Sequence, residues 1–213
     1  MTWLPPVVTI SASYGAGGSI VGPRVAEMLG VPFLDRAIPL EVARRLAVPL
    51  EDALAHDERC EGRIARLLSA FAQAPVAAAG WQPVPVPDER AFKHEAERVI
   101  HEHARGGAVI LGRAAALVLA EDPRALHVRL DGPTDARVAQ AMRLAGLDER
   151  EARDRQRDAD RARDAYVKQF YRADAHDPRL YHVVLDSTVL DLETCAGLIT
   201  SATRARTASS IAA

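Results

Sequence analysis

The segment from Val7 to Ser19, reading VVTISASYGAGGS, restricts the possible folds of this chain more than any other stretch. Val7 to Ser11 is a β-branched run entered from Pro5-Pro6 and reads as a short buried strand; Gly15, Gly17 and Gly18 then put three glycines into four residues. From Ser19 to Leu29 the apolar positions recur at helical spacing. A strand that turns through glycines into a helix lets successive backbone N–H groups converge on an anion at the helix N-terminus, where the peptide dipoles already favour negative charge. A tight turn without a ligand is the simpler alternative. The strand before the glycines and the helix after them favour a phosphate cradle, with Ser13, Gly15, Ala16, Gly17, Gly18 and Ser19 as candidate donors.

The rest of the chain alternates in the same way. Gly30 and Pro32 stop the first helix, and Val31 to Leu34 predicts a second strand that ends at Asp35-Arg36. Residues 37–72 carry apolar positions at helical spacing, whereas the prolines at 75, 83, 85 and 87 make Gln73 to Pro87 an irregular loop. Asp88 is placed to cap a helix running to about Arg105. Ala108 to Leu111, Leu126 to Leu130 and Tyr181 to Leu185 predict three further strands. Helices are expected from Ala114 to Ala120, from Pro133, and from Leu190 to about Thr203, with a small polar tail from Thr207 to Ala213 that frays. Strands alternating with helices imply right-handed crossovers and a parallel sheet, so the chain is α/β. Its 213 residues, 48% hydrophobic, fit one domain carrying an insertion.

A formal charge of -2 gives the whole chain no field that would attract nucleic acid or an anionic membrane. Basic residues are nearly all Arg, with Lys only at 93 and 168; genome composition explains this bias better than function does. Cys60 and Cys195 form no metal-ligand spacing, and the histidines form no evident metal cluster. With no run of membrane-span length and no basic-then-apolar leader after Met1, the cytoplasm is the expected location. Nucleotide small molecules are the expected partners, rather than nucleic acid or membrane; the oligomeric state stays open.

Set against the phosphate-loop pattern GxxxxGK[ST], Ala12 replaces the first Gly, Gly17 keeps the second, Gly18 stands where Lys is usual, and Ser19 takes the hydroxyl position that reaches magnesium. Four later segments follow in order: Phe33-Leu34-Asp35-Arg36, Val109 to Arg113, Asp160 to Tyr166, and Leu185-Asp186-Ser187-Thr188. Together with Ile10 to Gly18, these make the chain resemble the cytidylate kinase-like family, a branch of the nucleoside monophosphate kinases. The resemblance implies a P-loop three-layer α/β/α fold with a parallel five-stranded sheet. It also implies a helical monophosphate-binding insertion at about 37–106 and an Arg-rich lid at about 144–172.

The activity so implied is ATP-dependent phosphoryl transfer to a nucleoside monophosphate, CMP or dCMP, with Mg2+ and Ser19 as its candidate ligand. By the same resemblance Arg113 and Arg163 hold the acceptor phosphate, Asp160 holds the acceptor sugar, and Asp35 and Arg36 lie beside the acceptor. Asp160 and Arg163 also read as a local ion pair on a solvated helix, and Asp35 as a helix cap. Leu111-Gly112-Arg113-Ala114 lacks both acids of the Asp-Gly-Arg-Asp segment found in bacterial cytidylate kinases, which puts magnesium binding in doubt. Without a loop lysine, catalytic charge must come from elsewhere, and Arg157, Arg161 and Arg163 in the lid are the candidates. A catalytically weak nucleotide-binding regulatory module and a small-molecule kinase with another acceptor remain as alternatives.

Overall fold

The structure, a computed structural model, describes residues 5–35, 89–112 and 114–212. Strand β1, Val7–Ala12, sits in the middle of a five-stranded parallel sheet of order β2-β3-β1-β4-β5. The other strands are β2 (Phe33–Leu34), β3 (Ala108–Leu111), β4 (Ala125–Asp131) and β5 (Val183–Asp186). β1 is central because both of its faces are apolar enough to be covered: Val7, Val8 and Ile10 are all buried.

Helices α1 (Gly18–Leu29) and α6 (Leu192–Ala212) cover one face of the sheet, where Val8, Ile10, Val128 and Leu130 pack against Val21, Val25, Cys195 and Ile199. Helices α2 (Glu89–Arg105) and α3 (Ala115–Val118) cover the other, where Val7 and Ile110 pack against Val99, Ile100 and Leu119. The chain therefore leaves β1 toward one face and β3 toward the other. Between these adjacent strands a crevice opens at the carboxyl edge of the sheet, the place where open α/β sheets bind ligands. Helices α4 (Thr134–Ala145) and α5 (Glu149–Tyr171) pack on each other and carry the chain from β4 across that edge.

The expected alternation is observed, with three differences. The second strand is only two residues long, because Val31 and Pro32 are taken up in leaving the α1 cap, where the Val31 N–H donates to Ala26. The fifth strand starts at Val183, after a 3-10 turn at Pro178–Leu180 capped by Asp177. The last helix continues to Ala212 instead of fraying at Thr207, whose hydroxyl donates back to the Thr203 carbonyl at 3.0 Å. The predicted helices of 37–72, the loop of Gln73 to Pro87 and the Asp88 cap lie outside the described residues. No helix among the described residues is long and apolar enough to cross a membrane.

On the α2/α3 side of the sheet, β4 presents His127, Arg129 and Asp131 at alternate positions. The His127 Nδ1 lies 2.8 Å from the Thr9 hydroxyl, its backbone N–H donates to the His182 Nδ1 at 3.0 Å, and the two imidazoles stack with centroids 4.8 Å apart. Burial, with the neighbouring His182 and Arg206 charges, pushes the His127 pKa down from 6.5 to about 4. The fold thus favours the neutral ring: this stabilisation is complete above the unfolded value and is lost as pH falls through the folded one. Thermal unfolding should show stability dropping between pH 6.5 and 4 by on the order of 2–3 kcal/mol, and His127→Asn should flatten that slope.

Candidate functional site

After β1 the Ser13 N–H still donates to the Leu130 carbonyl at 3.1 Å, extending the ladder by one residue before the chain turns. The Ala16 N–H closes the turn on the Ser13 carbonyl at 3.0 Å. Gly15 (φ 78°) and Gly17 (φ 74°) adopt the left-handed conformation that a side chain would strain. Gly15 has a second reason to be glycine, since a Cβ there would lie 2.2 Å from the Arg137 carbonyl oxygen on α4.

Three successive loop carbonyls are each held by a side chain from another element. Tyr14 O accepts from Arg137 Nη1 at 2.7 Å, Gly15 O from Gln140 Nε2 at 2.9 Å, and Ala16 O from Ser187 Oγ at 2.8 Å. A trans peptide points its N–H opposite to its C=O. Anchoring the Tyr14 carbonyl therefore aims the Gly15 N–H away from Arg137, and anchoring the Ala16 carbonyl does the same for Gly17. Among the described residues the N–H groups of Gly15, Gly17, Gly18 and Ser19 meet no acceptor. They lie at the N-terminus of α1 in a loop fixed from outside, which is an anion site in geometry and in sign of potential.

The expected part of Ser13 and Ala16 in phosphate binding is narrowed by this geometry, because both amides are engaged within the fold. Ser13 is buried, and its hydroxyl accepts from Arg129 Nη2 at 3.0 Å. Ser19 is exposed at the start of α1, where its hydroxyl can meet a phosphate-bound cation. No cluster of three or more His, Cys, Asp or Glu suited to a metal occurs among the described residues. Asp131 is engaged by Arg129 at 2.8 Å and Asp186 by Thr188 at 2.6 Å. The exposed Ser19 hydroxyl, next to the open amides of Gly17 and Gly18, is the group on the loop that could ligate a cation carried on phosphates.

Two buried arginines frame the loop. Arg129 binds Asp131, the Ser13 hydroxyl, the Ala175 carbonyl at 2.9 Å and the His176 Nδ1 at 2.9 Å. Arg137 binds the Gly132 carbonyl at 2.9 Å, the Tyr14 carbonyl, and Asp160 at 2.9 Å. Both guanidinium groups are engaged within the fold, Arg129 by Asp131 and Arg137 by Asp160 and, at 3.4 Å, by Asp131. Burial opposes ionisation of Asp160, but bonds from Gln156 and the Tyr14 N–H, with the charges of Arg163 and Arg137, outweigh it and hold its pKa at about 2.

Helix α5 begins at an Asp148 cap and turns Ala152, Gln156, Asp160, Arg163 and Val167 toward the body at i, i+4 and i+3 steps. Arg163 is brought to the Asp160 carboxylate at 2.8 Å, so the local ion pair is present. Arg157 and Arg161 stand one step round the helix, on its exposed side; Arg157 pairs with Asp154, and Arg161 has no carboxylate partner among the described residues. Asp35 is a half-buried bend at the carboxyl end of β2. Arg36 and Arg113 lie outside the described residues; Gly112 (φ 76°) and Ala114 (φ 51°), which flank Arg113, are both left-handed at the carboxyl edge of β3.

Sequence reasoning missed Arg129, Arg137, Gln140 and Ser187. Arg137 had a signal, since a cation in the opening turn of a helix opposes the macrodipole and implies compensating anions nearby. Arg129 had one too, as a polar position alternating with the apolar Val128 and Leu130 in a strand where His127 and Asp131 share its face.

The model of the cytidylate kinase-like family matches residues 7–189. This chain belongs to the cytidylate kinase-like family. An uncharacterized protein from Eubacterium ventriosum ATCC 27560 superposes with a TM-score of 0.64 at 18% identity, covering 93% of this chain and 98% of that one. Shikimate kinase from Acinetobacter baumannii, in complex with shikimate, superposes with a TM-score of 0.50 at 15% identity, covering 95% of each. A search of curated proteins gave no match. At these identities the likeness speaks for the fold alone, a parallel α/β architecture similar to that of shikimate kinase. The family implies ATP and Mg2+ use in general.

Gly15→Ala tests the loop. The added methyl meets backbone on α4 and forces a strained φ, so the variant should lose about 2 kcal/mol of stability. It should also bind inorganic tripolyphosphate at least ~10-fold more weakly by calorimetry, the equivalent of one lost charge-assisted hydrogen bond.

Proposed function

We propose that this member of the cytidylate kinase-like family transfers the terminal phosphoryl group of ATP to a nucleoside monophosphate, CMP or dCMP. The observation that carries the reading is the set of amides at Gly15, Gly17, Gly18 and Ser19 that meet no acceptor among the described residues, those of Gly15 and Gly17 aimed by carbonyls anchored on the opposite side. They would hold the donor phosphates, and ATP bound there supplies the transferred group. An acceptor phosphate is already an anionic nucleophile, so alignment and charge neutralisation suffice without a general base.

The acceptor side is assigned to Asp35 at the carboxyl end of β2, to Arg163 on α5, and, by the family resemblance, to Arg36 and Arg113. Arg157 and Arg161, exposed on α5, are the groups available to swing onto the transferring phosphoryl in place of the absent loop lysine, with Arg163 beside them. The proposed molecular partners are nucleotides alone, and a cytoplasmic setting suits them.

A second reading has an observation of its own. Gly18 leaves no lysine at the phosphates, and the buried Arg129 and Arg137 are neutralised by Asp131 and Asp160, which favours a module that binds nucleotide without efficient turnover. A coupled ADP-release assay across nucleoside and small-molecule acceptors separates the readings. Turnover with CMP or dCMP above all others is expected; folded protein that turns over none of them would sink the kinase assignment and leave binding alone.

A further inference from the structure

Asp160 is used in a way that an acceptor-sugar ligand is not. Its Oδ1 accepts the Tyr14 N–H at 2.9 Å and Arg163 Nη1 at 2.8 Å; its Oδ2 accepts Arg137 Nη1 at 2.9 Å and Gln156 Nε2 at 2.9 Å. A carboxylate offers about four lone-pair positions, and here four N–H donors occupy them. A sugar hydroxyl would have to displace one of these, and each displacement would strand a donor in a site where the Asp160 side chain is 15% exposed and Arg137 only 7%.

These contacts lead to the donor loop. Asp160 holds the Tyr14 N–H, and Arg137 bridges Asp160 to the carbonyl of the same residue. Both peptide planes flanking the Tyr14 Cα are thereby fixed from α4 and α5, and the second of them carries the Gly15 N–H. The neighbouring Gln140 and Ser187 fix the next two carbonyls from α4 and from the turn after β5. Asp160 is the residue through which the Arg-rich helix grips the loop.

We propose that Asp160 is a positioning residue of the donor loop, locking α5 onto Tyr14 through Arg137 so that the Gly15 N–H is presented to phosphate. The proposal rests on the donor-loop reading above and deepens it. Placing Arg157 and Arg161 for the donor phosphates and shaping the loop become one event, since α5 docks through the carboxylate one step away from both arginines. Loss of Asp160 then weakens donor binding.

Amide hydrogen exchange of Tyr14, read by NMR on the full chain, decides the matter together with calorimetry using tripolyphosphate as the probe. In the wild type the Tyr14 amide should be protected. Asp160→Asn should speed its exchange by about tenfold or more, relative to Val8 and Ile10, and weaken tripolyphosphate by about tenfold, the effect of one charged hydrogen bond. Unchanged Tyr14 exchange overturns the lock; faster exchange with undiminished tripolyphosphate binding overturns its positioning role. If Asp160→Asn does not fold, the wild type still decides: an unprotected Tyr14 amide, or an Asp160 carboxyl that titrates in the ordinary range by NMR, refutes the contact. A wild type that binds no tripolyphosphate contradicts the donor reading, whereas Tyr14 exchange tests the lock independently of it.

Discussion

The site depends on the outward anchoring of three consecutive carbonyls, those of Tyr14, Gly15 and Ala16, by Arg137, Gln140 and Ser187. Glycine supplies the freedom to turn a peptide either way; it does not say which way. Direction comes from side chains on α4 and at the end of β5, which hold the carbonyls and so leave the amides of Gly15 and Gly17 directed elsewhere. The cradle is therefore a tertiary feature. It requires that the carboxyl ends of β1, β4 and β5 meet, which the strand order β1-β4-β5 ensures.

The same anchoring sets the electrostatics. Arg129 and Arg137 lie close to the loop and buried, but each is matched by a carboxylate, so neither leaves an unmatched buried charge. Their role is to hold geometry. In the proposed phosphoryl transfer, positive charge would fall to arginines on the exposed side of α5, which is long, highly charged and fixed to the body through the face carrying Ala152, Asp160 and Val167. Fixed donors on the loop side and long cationic side chains on the helix side divide binding from charge neutralisation, two tasks that the usual loop lysine combines.

Much of this was legible in the sequence. The β-branched run before Gly15 and the periodic segment after Gly18 gave strand, turn and helix, and the alternation of later segments gave a parallel sheet. The Asp160–Arg163 pair was readable from its spacing of three. What could not be read was long-range: nothing near Tyr14 says that its carbonyl meets Arg137, 123 residues away, or that its N–H meets Asp160, 146 residues away. That the amides of Ser13 and Ala16 are taken by Leu130 and by the turn itself was likewise not legible. The end of α6 ran past its expected limit, with the hydroxyls of Thr203 and Thr207 bonding back to carbonyls one turn earlier.

The central claim is that a phosphate chain is held by a defined set of backbone amides. A two-dimensional NMR titration of the 15N-labelled chain with magnesium and ADP tests it most directly, because each amide reports its own hydrogen bonding. The account predicts saturable downfield shifts at Gly15, Gly17, Gly18 and Ser19, with Ser13 and Ala16, whose N–H groups already have acceptors, moving far less. Saturable shifts that bypass those four amides, or no shift at millimolar nucleotide, would contradict it.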